Sequence, residues 1–483
     1  MARDTESVFR HHWAAFFSGG VLSLTRLASG VVRIKFISLV LGTAGVGFLS
    51  QAGQIQILGI TIGSLAMAVG IINRMGAIGA ANREREGRLL ATAFTSQLTV
   101  SLSLLCVAIV FARQLAYAAF GVGPQTPLPV SSRDVLAVVF SVPLSVLASG
   151  YLEAVFFGGG RYDLYVRASV WATVLGLFAT LAIVAVWGLS GAFWSVFASS
   201  AFLLASFLVY VRRVRPLAEL FRFGFDWSEA NALTRFSVAI LVSGALVPAA
   251  RLWVQSKVIL SFGIDANGLL AVPFSVTAYY TPFLTNALWG RMYPSITRVG
   301  PTPEARRELT AALRLTVVMA TAAIAAILFL KDILVPLAYS RAFLPAARLL
   351  PAQLAGDYLY FVALPFTVYT LGIARLRVYL AVWVGYSIVV VAACVVLIPW
   401  LGLVAVPVGY GIANAIGAGV ALGWFISRQD EGWLTTLAMI AAGLLAVSVQ
   451  AYLAWSGSHF VIQGCVAAAA SLAVLVSLWS HRT

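Results

Sequence analysis

Acidic residues are few. Asp and Glu number 17 against 32 Lys and Arg in 483 residues, and charged residues make up only 10% of the chain. A soluble domain is typically about 25% charged and at most about half apolar. Here 61% of residues are hydrophobic, which excludes a water-soluble globular class. Cysteines number three (Cys106, Cys394 and Cys465), each inside an apolar run without metal-type spacing. That excludes a disulfide framework and a Cys-based metal module. The four histidines (His11, His12, His459 and His481) lie at the termini or at the ends of apolar runs, which excludes a histidine proton relay along the spans. No GxxxxGK[ST] run is present, which excludes P-loop ATP hydrolysis. No cofactor and no metal site are expected.

What is present is a succession of apolar runs, each near the roughly 20 residues that a helix needs to cross a bilayer. Fourteen spans are predicted, at 17–41, 47–72, 89–111, 134–157, 166–187, 190–211, 236–260, 268–290, 309–330, 351–373, 377–398, 402–426, 433–454 and 459–480. The short alternating segments of a porin-type barrel are absent. The expected class is an all-α polytopic membrane protein. The opening MARDTESVFRHHW contains acids and lacks a compact apolar core with a small-residue cleavage site, so it reads as a retained tail, not a signal peptide.

The net charge of +15 is a topological signal. With the N-terminus inside, the cytoplasmic connections carry 22 Lys and Arg and the outer ones 5. This bias predicts both termini in the cytoplasm. It also accounts for most of the basic balance, so no nucleic-acid partner is called for. Only the outer connections 112–133 and 331–350 have any length; both are rich in Pro and apolar residues and are expected to lie re-entrant or parallel to the surface.

The chain resembles itself. LGTAGVGFL (41–49) aligns with SFGIDANGLL (261–270), pairing Gly42 with Gly263; WGLSGAF (187–193) aligns with LGLVAVP (401–407). VPLSVLASG (142–150) aligns with LPFTVYTLG (364–372), pairing Pro143 with Pro365 and Gly150 with Gly372. NRM (73–75) aligns with GRM (290–292). The order predicts two six-span repeats, and six being even makes them parallel. The expected organisation is an N-lobe at 1–215, a C-lobe at 216–430, and two further spans at 431–483.

Of the 32 bases, five are left once those assigned to the connections are counted: Arg26, Arg33 and Lys35 in span 1, and Arg251 and Lys257 in span 7, the first span of each repeat. A charge at mid-bilayer costs about 2.5–3.5 kcal/mol even on an insertion scale, so it faces a wet cavity or a partner. Arg26 and Arg33 are seven residues apart and share a helical face. Guanidinium groups suit phosphate and carboxylate. All five are candidate cavity residues, with Lys35 and Lys257 near enough to the outer ends to snorkel. Two acids fall inside spans beyond their first residue, Glu153 in span 4 and Asp357 in span 10. They are candidates for pairing with the bases, or for proton or sodium coupling. Pro143 and Pro365 each remove a backbone bond inside a span and are candidate hinges. In span 12, Gly409, Ala413 and Gly417 form a small-residue face for close packing.

LGTAGVGFLSQAGQ (41–54) resembles the O-antigen flippases, in the polysaccharide-transporter branch of the multidrug/oligosaccharidyl-lipid/polysaccharide (MOP) exporter superfamily. AFLPAARLLPAQLAGDYLYF (342–361), with Gln353, Gly356 and Asp357, is similar to their second-half signature. The resemblance implies two six-helix lobes around a cationic cavity and a flippase, not an enzyme. The cargo would be an undecaprenyl-pyrophosphate-linked oligosaccharide at the bacterial inner membrane. It also implies lipid and the polysaccharide polymerase and chain-length machinery as partners. The alternatives are a lipid II flippase, or a multidrug or cation antiporter of the same superfamily. A membrane glycosyltransferase or polymerase would need charged residues on sizeable outer loops, and the first outer loop, GTAGV, has none. Because span 1 contains no acid, the reading leaves the countercharge of its bases to the cargo.

Overall fold

A computed structural model of the chain describes residues 2–78, 82–120, 130–427, 433–456, 464 and 466. Among these, all regular structure is helical. In chain order the helices are α1 (Ala2–Gly63), α2 (Ala68–Ile78), α3 (Arg83–Val110), α4 (Ala112–Phe120), α5 (Ser132–Ser145), α6 (Glu153–Gly158), α7 (Tyr162–Val211) and α8 (Leu217–Leu220). They continue with α9 (Trp227–Phe262), α10 (Ile264–Ala287), α11 (Tyr293–Val299), α12 (Pro303–Ala338), α13 (Leu350–Gly372), α14 (Leu376–Leu401), α15 (Ala405–Ile426) and α16 (Trp433–Ser456). π-helical turns join α5 to α6 (Val146–Leu152) and α10 to α11 (Leu288–Met292); a 3-10 segment, Arg341–Arg348, precedes α13.

Thirteen of the predicted spans map onto these helices, and the span at 459–480 lies outside the described residues apart from 464 and 466. Several successive spans need hardly any loop. Gly42 (φ 65°) breaks α1, Gly188 (φ 55°) breaks α7, Gly263 (φ 84°) separates α9 from α10, and Gly402 (φ 56°) separates α14 from α15. A residue with a Cβ is strained at such angles, so one glycine supplies each reversal.

The repeat is written in the backbone. Gly42 matches Gly263, and Gly188 matches Gly402, as the sequence pairing predicts. A third match was not visible in the sequence. At the end of α6, the N–H of Arg161 bonds to the carbonyl of Phe156 at 2.9 Å, with Gly160 at φ 67°. At the end of α13, the N–H of Arg375 bonds to Thr370 at 2.9 Å, with Ala374 at φ 56°. Both are Schellman-type ends. Here the matched residues differ by 214 in number, whereas Pro143 and Pro365 differ by 222. The structural register therefore pairs Gly158 with Gly372 and leaves the two prolines about two turns apart. Pro143 stands three residues before the π-turn, while Pro365 sits within an unbroken α13.

The chain divides into two compact units, Met1–Ser261 and Phe262–Thr483. The division comes one helix after the 215/216 boundary taken from the repeat, because α9 is bonded to unit 1. The Gln51 side chain donates to Ser256 Oγ at 2.9 Å and to the Ala119 carbonyl, and Gln255 donates to Ser50 at 3.1 Å. At the arginine-rich end of the unit, Glu229 of α9 pairs with Arg74 (2.6 Å) and Arg85 (2.9 Å). Arg215 pairs with Glu86, and Arg88 with Glu84. Several bases read as topological markers thus also tie the connection 212–226 and α9 to α2 and α3.

Unit 2 is held by close backbone approach. A Cβ on Gly356 of α13 would meet Gly411 Cα of α15 at 2.8 Å, and Asn414 donates to the Gly356 carbonyl at 3.1 Å. The contact face of α15 is therefore Gly411 with Asn414. Of the predicted face, Gly409 packs on Cys394 of α14, and Gly417 looks into open space. The connections 112–133 and 331–350 contain α4 and the 3-10 segment, whose Phe343, Ala346 and Ala347 are buried.

Candidate functional site

Helix α1 is apolar, but its turn through Arg26, Ser29, Gly30 and Arg33 is not. The 3.6-residue period sets these four side by side. They form one wall of a crevice of about 340 Å³ whose other wall is α7, through Ala172, Thr173, Gly176, Leu177, Ser199 and Leu203. Gly176 keeps that wall low: a Cβ there would lie 3.4 Å from Ser199 Oγ. The crevice therefore presents two guanidinium groups and the hydroxyl residues Ser29, Thr173 and Ser199 against an apolar remainder of Gly30, Ala172, Gly176, Leu177 and Leu203.

The two arginines differ. Arg26 donates to the Tyr165 hydroxyl at 3.2 Å. That hydroxyl is also bonded to Glu153, which feels the charge of Arg26. Tyr165 is fixed by the rings of Phe157 and Phe207, with centroids at 4.8 and 5.8 Å. Arg26 thus has a partner inside the protein, the Tyr165 hydroxyl, with the acid Glu153 at the start of α6 beyond it. The sequence left Glu153 open to pairing with a base, and the base it lies near is Arg26. Which base Glu153 meets was not legible, because it and Arg26 are 127 positions apart. Arg33 is exposed in the crevice and has no hydrogen-bond or ion-pair partner among the described residues.

The other predicted bases lie elsewhere. Lys35, Arg251 and Lys257 line no part of this crevice. Lys257 sits 5.5 Å from the ring centre of Trp253, a cation–π contact of the kind that holds a charge at a helix end. The wall facing α1 is α7, and α9, which carries Arg251 and Lys257, lines none of the crevice.

Asp357 has its own setting in unit 2. Its carboxylate is 3% exposed and accepts from Thr277 Oγ1 (2.6 Å), the Tyr280 hydroxyl (2.8 Å) and Gln353 Nε2 (2.9 Å). Gln353 is one turn before Asp357 on α13, so that part of the site was legible as an i, i+4 pair. Thr277 and Tyr280 come from α10 and were not. No group of three or more His, Cys, Asp or Glu that could hold a metal ion occurs among the described residues.

No protein-family model matches the chain. A lipid III flippase of Escherichia coli (strain K12) is 23% identical over 365 residues, covering 74% of this chain and 84% of that protein. A lipid II flippase, MurJ, in an inward closed conformation superposes with a TM-score of 0.72 at 11% identity, over 97% of this chain and 99% of that one. An inward-facing multidrug-resistance MATE family transporter of the MOP superfamily superposes with a TM-score of 0.66 at 15% identity, over 86% and 95% of the two chains. The chain is a polytopic, all-helical membrane protein with the fold of these transporters.

Proposed function

We propose that the protein moves an undecaprenyl-pyrophosphate-linked oligosaccharide from the cytoplasmic to the periplasmic leaflet of a bacterial inner membrane by alternating access. The observation that carries this reading is Arg33, an uncompensated guanidinium inside a membrane-spanning helix, beside a second arginine and three hydroxyl residues. A cation within the span of a bilayer is costly unless water or an anion meets it. A pyrophosphate offers several oxygens to the forked donors of Arg33 and Arg26, and hydroxyl residues suit a sugar. Glu153 would take back the charge of Arg26 when the cargo leaves, resetting the empty state. The similarity to a lipid III flippase and the shared fold with a lipid II flippase support a lipid-linked glycan as cargo. Asp357 is the candidate for proton or sodium coupling. A cationic crevice fits an anionic headgroup better than the cationic cargo of a drug antiporter.

The test is a deletion strain. Undecaprenyl-linked repeat units should build up on the inner face and clear when the gene is restored. Their absence would sink the reading. The fold shared with MurJ favours one second reading, a lipid II flippase, and accumulation of lipid II with arrest of wall synthesis would select it instead.

A further inference from the structure

Unit 2 carries a groove that the transport reading leaves unused. It is walled by α13, α14 and α15 and has two chambers, of about 300 and 460 Å³. They share Ala363, Thr367, Val378, Val382, Gly417 and Val420, so they are branches of one space.

The repeat explains where the groove comes from. At the 214-residue register set by the matching helix ends, Ala172, Ser199 and Leu203 of α7 correspond to Tyr386, Ala413 and Gly417. In unit 1 this surface is covered by α1, and the arginine crevice lies at their junction. Unit 2 begins at Phe262, so among its described residues no helix equivalent to α1 covers the same surface. Its rim is apolar and open: Val420 is 63% exposed and Ile416 51%.

Both branches reach a base. Arg375 lines the smaller chamber and Arg377 the larger. They stand at the start of α14, on the side that the base count predicts to be cytoplasmic. Both are exposed, and neither side chain has an ion-pair or hydrogen-bond partner among the described residues. Apolar branches that end at two unneutralised guanidinium groups are complementary to an anionic amphiphile with two tails.

We propose that this groove binds a diacyl phospholipid with an anionic headgroup, one acyl chain in each branch and the phosphate between Arg375 and Arg377. Arginine heads at the interface and apolar stems along the wall are the usual division of labour for this residue. A polyprenyl pyrophosphate has one chain and would leave a branch empty. The proposal does not depend on the transport reading.

The test uses the full chain purified in detergent, with thermal unfolding and native mass spectrometry after addition of phosphatidylglycerol or phosphatidylcholine. Phosphatidylglycerol should be retained at least about fivefold more than phosphatidylcholine and should raise Tm by several degrees more. In R375Q/R377Q, retention of phosphatidylglycerol should fall to the phosphatidylcholine level. In G417L, both lipids should be lost while the lipid-free Tm is kept, since a Cβ at Gly417 meets nothing within 4 Å. If G417L does not fold, A421F fills the smaller branch and reads the same loss. Equal retention of the two lipids by the wild type, or wild-type retention in R375Q/R377Q, would overturn the proposal. So would displacement of phosphatidylglycerol by an equal concentration of polyprenyl pyrophosphate.

Discussion

Arg26 and Tyr165 are joined by a 3.2 Å hydrogen bond, and the same hydroxyl reaches Glu153. Arg26 is therefore engaged within the protein, and Arg33, one heptad away in the same crevice, has no such partner among the described residues. This separates two residues that the sequence presents as equivalent. A hydrogen bond to a charged group contributes about 1.5–3 kcal/mol, or roughly 10- to 100-fold in binding. Arg33→Ala should cut export by that much at normal protein levels in the membrane, and Arg33→Lys should recover only part, because a lysine lacks the planar fork. Arg26→Ala should cost less. Wild-type export by Arg33→Ala, measured by clearance of lipid-linked intermediates, would remove it from the site.

Glu229 tests the packing of the arginine-rich end. Its side chain is 4% exposed and holds Arg74 and Arg85 together. Taking away one partner of a buried pair leaves uncompensated charge, at a cost of about 3–5 kcal/mol in a fully buried case. Arg74 and Arg85 are partly open to solvent, so Glu229→Gln should cost less than that, but still lower Tm clearly. Glu84, 83% exposed and paired with Arg88 one turn on, should be nearly silent when changed to Gln. Equal Tm values for the two variants in detergent would show that the Glu229 network contributes nothing to stability.

The spans were legible because a bilayer demands about 20 apolar residues per crossing, and only a handful of buried charges interrupt them. The reversals at Gly42, Gly188, Gly263 and Gly402 were legible as aligned motifs, though not as single-residue turns. The proline pairing misled, since matching Pro143 to Pro365 requires a register eight residues away from the one set by the helix ends at Arg161 and Arg375. Proline is tolerated at more than one height in a membrane helix, so its position is a weak register mark. The partners of Arg26 and Asp357 were illegible for a different reason. Tyr165, Thr277 and Tyr280 are ordinary residues whose role arises only when helices distant in sequence pack together.

Two glycines of unit 2 should respond oppositely to alanine. At Gly356 an added methyl would lie 2.8 Å from Gly411 Cα, so α13 and α15 must separate, at the overpacking cost of about 1–3 kcal/mol. At Gly417 the same methyl meets nothing within 4 Å, and the better helix propensity of alanine adds up to about 1 kcal/mol. Thermal unfolding of Gly356→Ala should shift down and that of Gly417→Ala should hold or rise. The reverse order would contradict the packing of α13 on α15.

Asp357 is the test of coupling. Three neutral donors, Thr277, Tyr280 and Gln353, converge on its carboxylate. Binding a proton or a sodium ion there would cancel the charge of the carboxylate and release the hydroxyls to turn away. Asp357→Asn keeps the shape of the side chain but permanently removes the charge. In proteoliposomes loaded with a lipid-linked pyrophosphate, wild-type transport should accelerate when a proton or sodium gradient is imposed. The Asn variant should transport at one rate with or without the gradient. A second variant, Thr277→Val, removes one donor and leaves the carboxylate; it should keep the gradient response while shifting the pH or sodium concentration at which it is half-maximal. An Asn variant that still responds fully to the gradient would place coupling elsewhere in the chain and leave Asp357 a structural tie between α13 and α10.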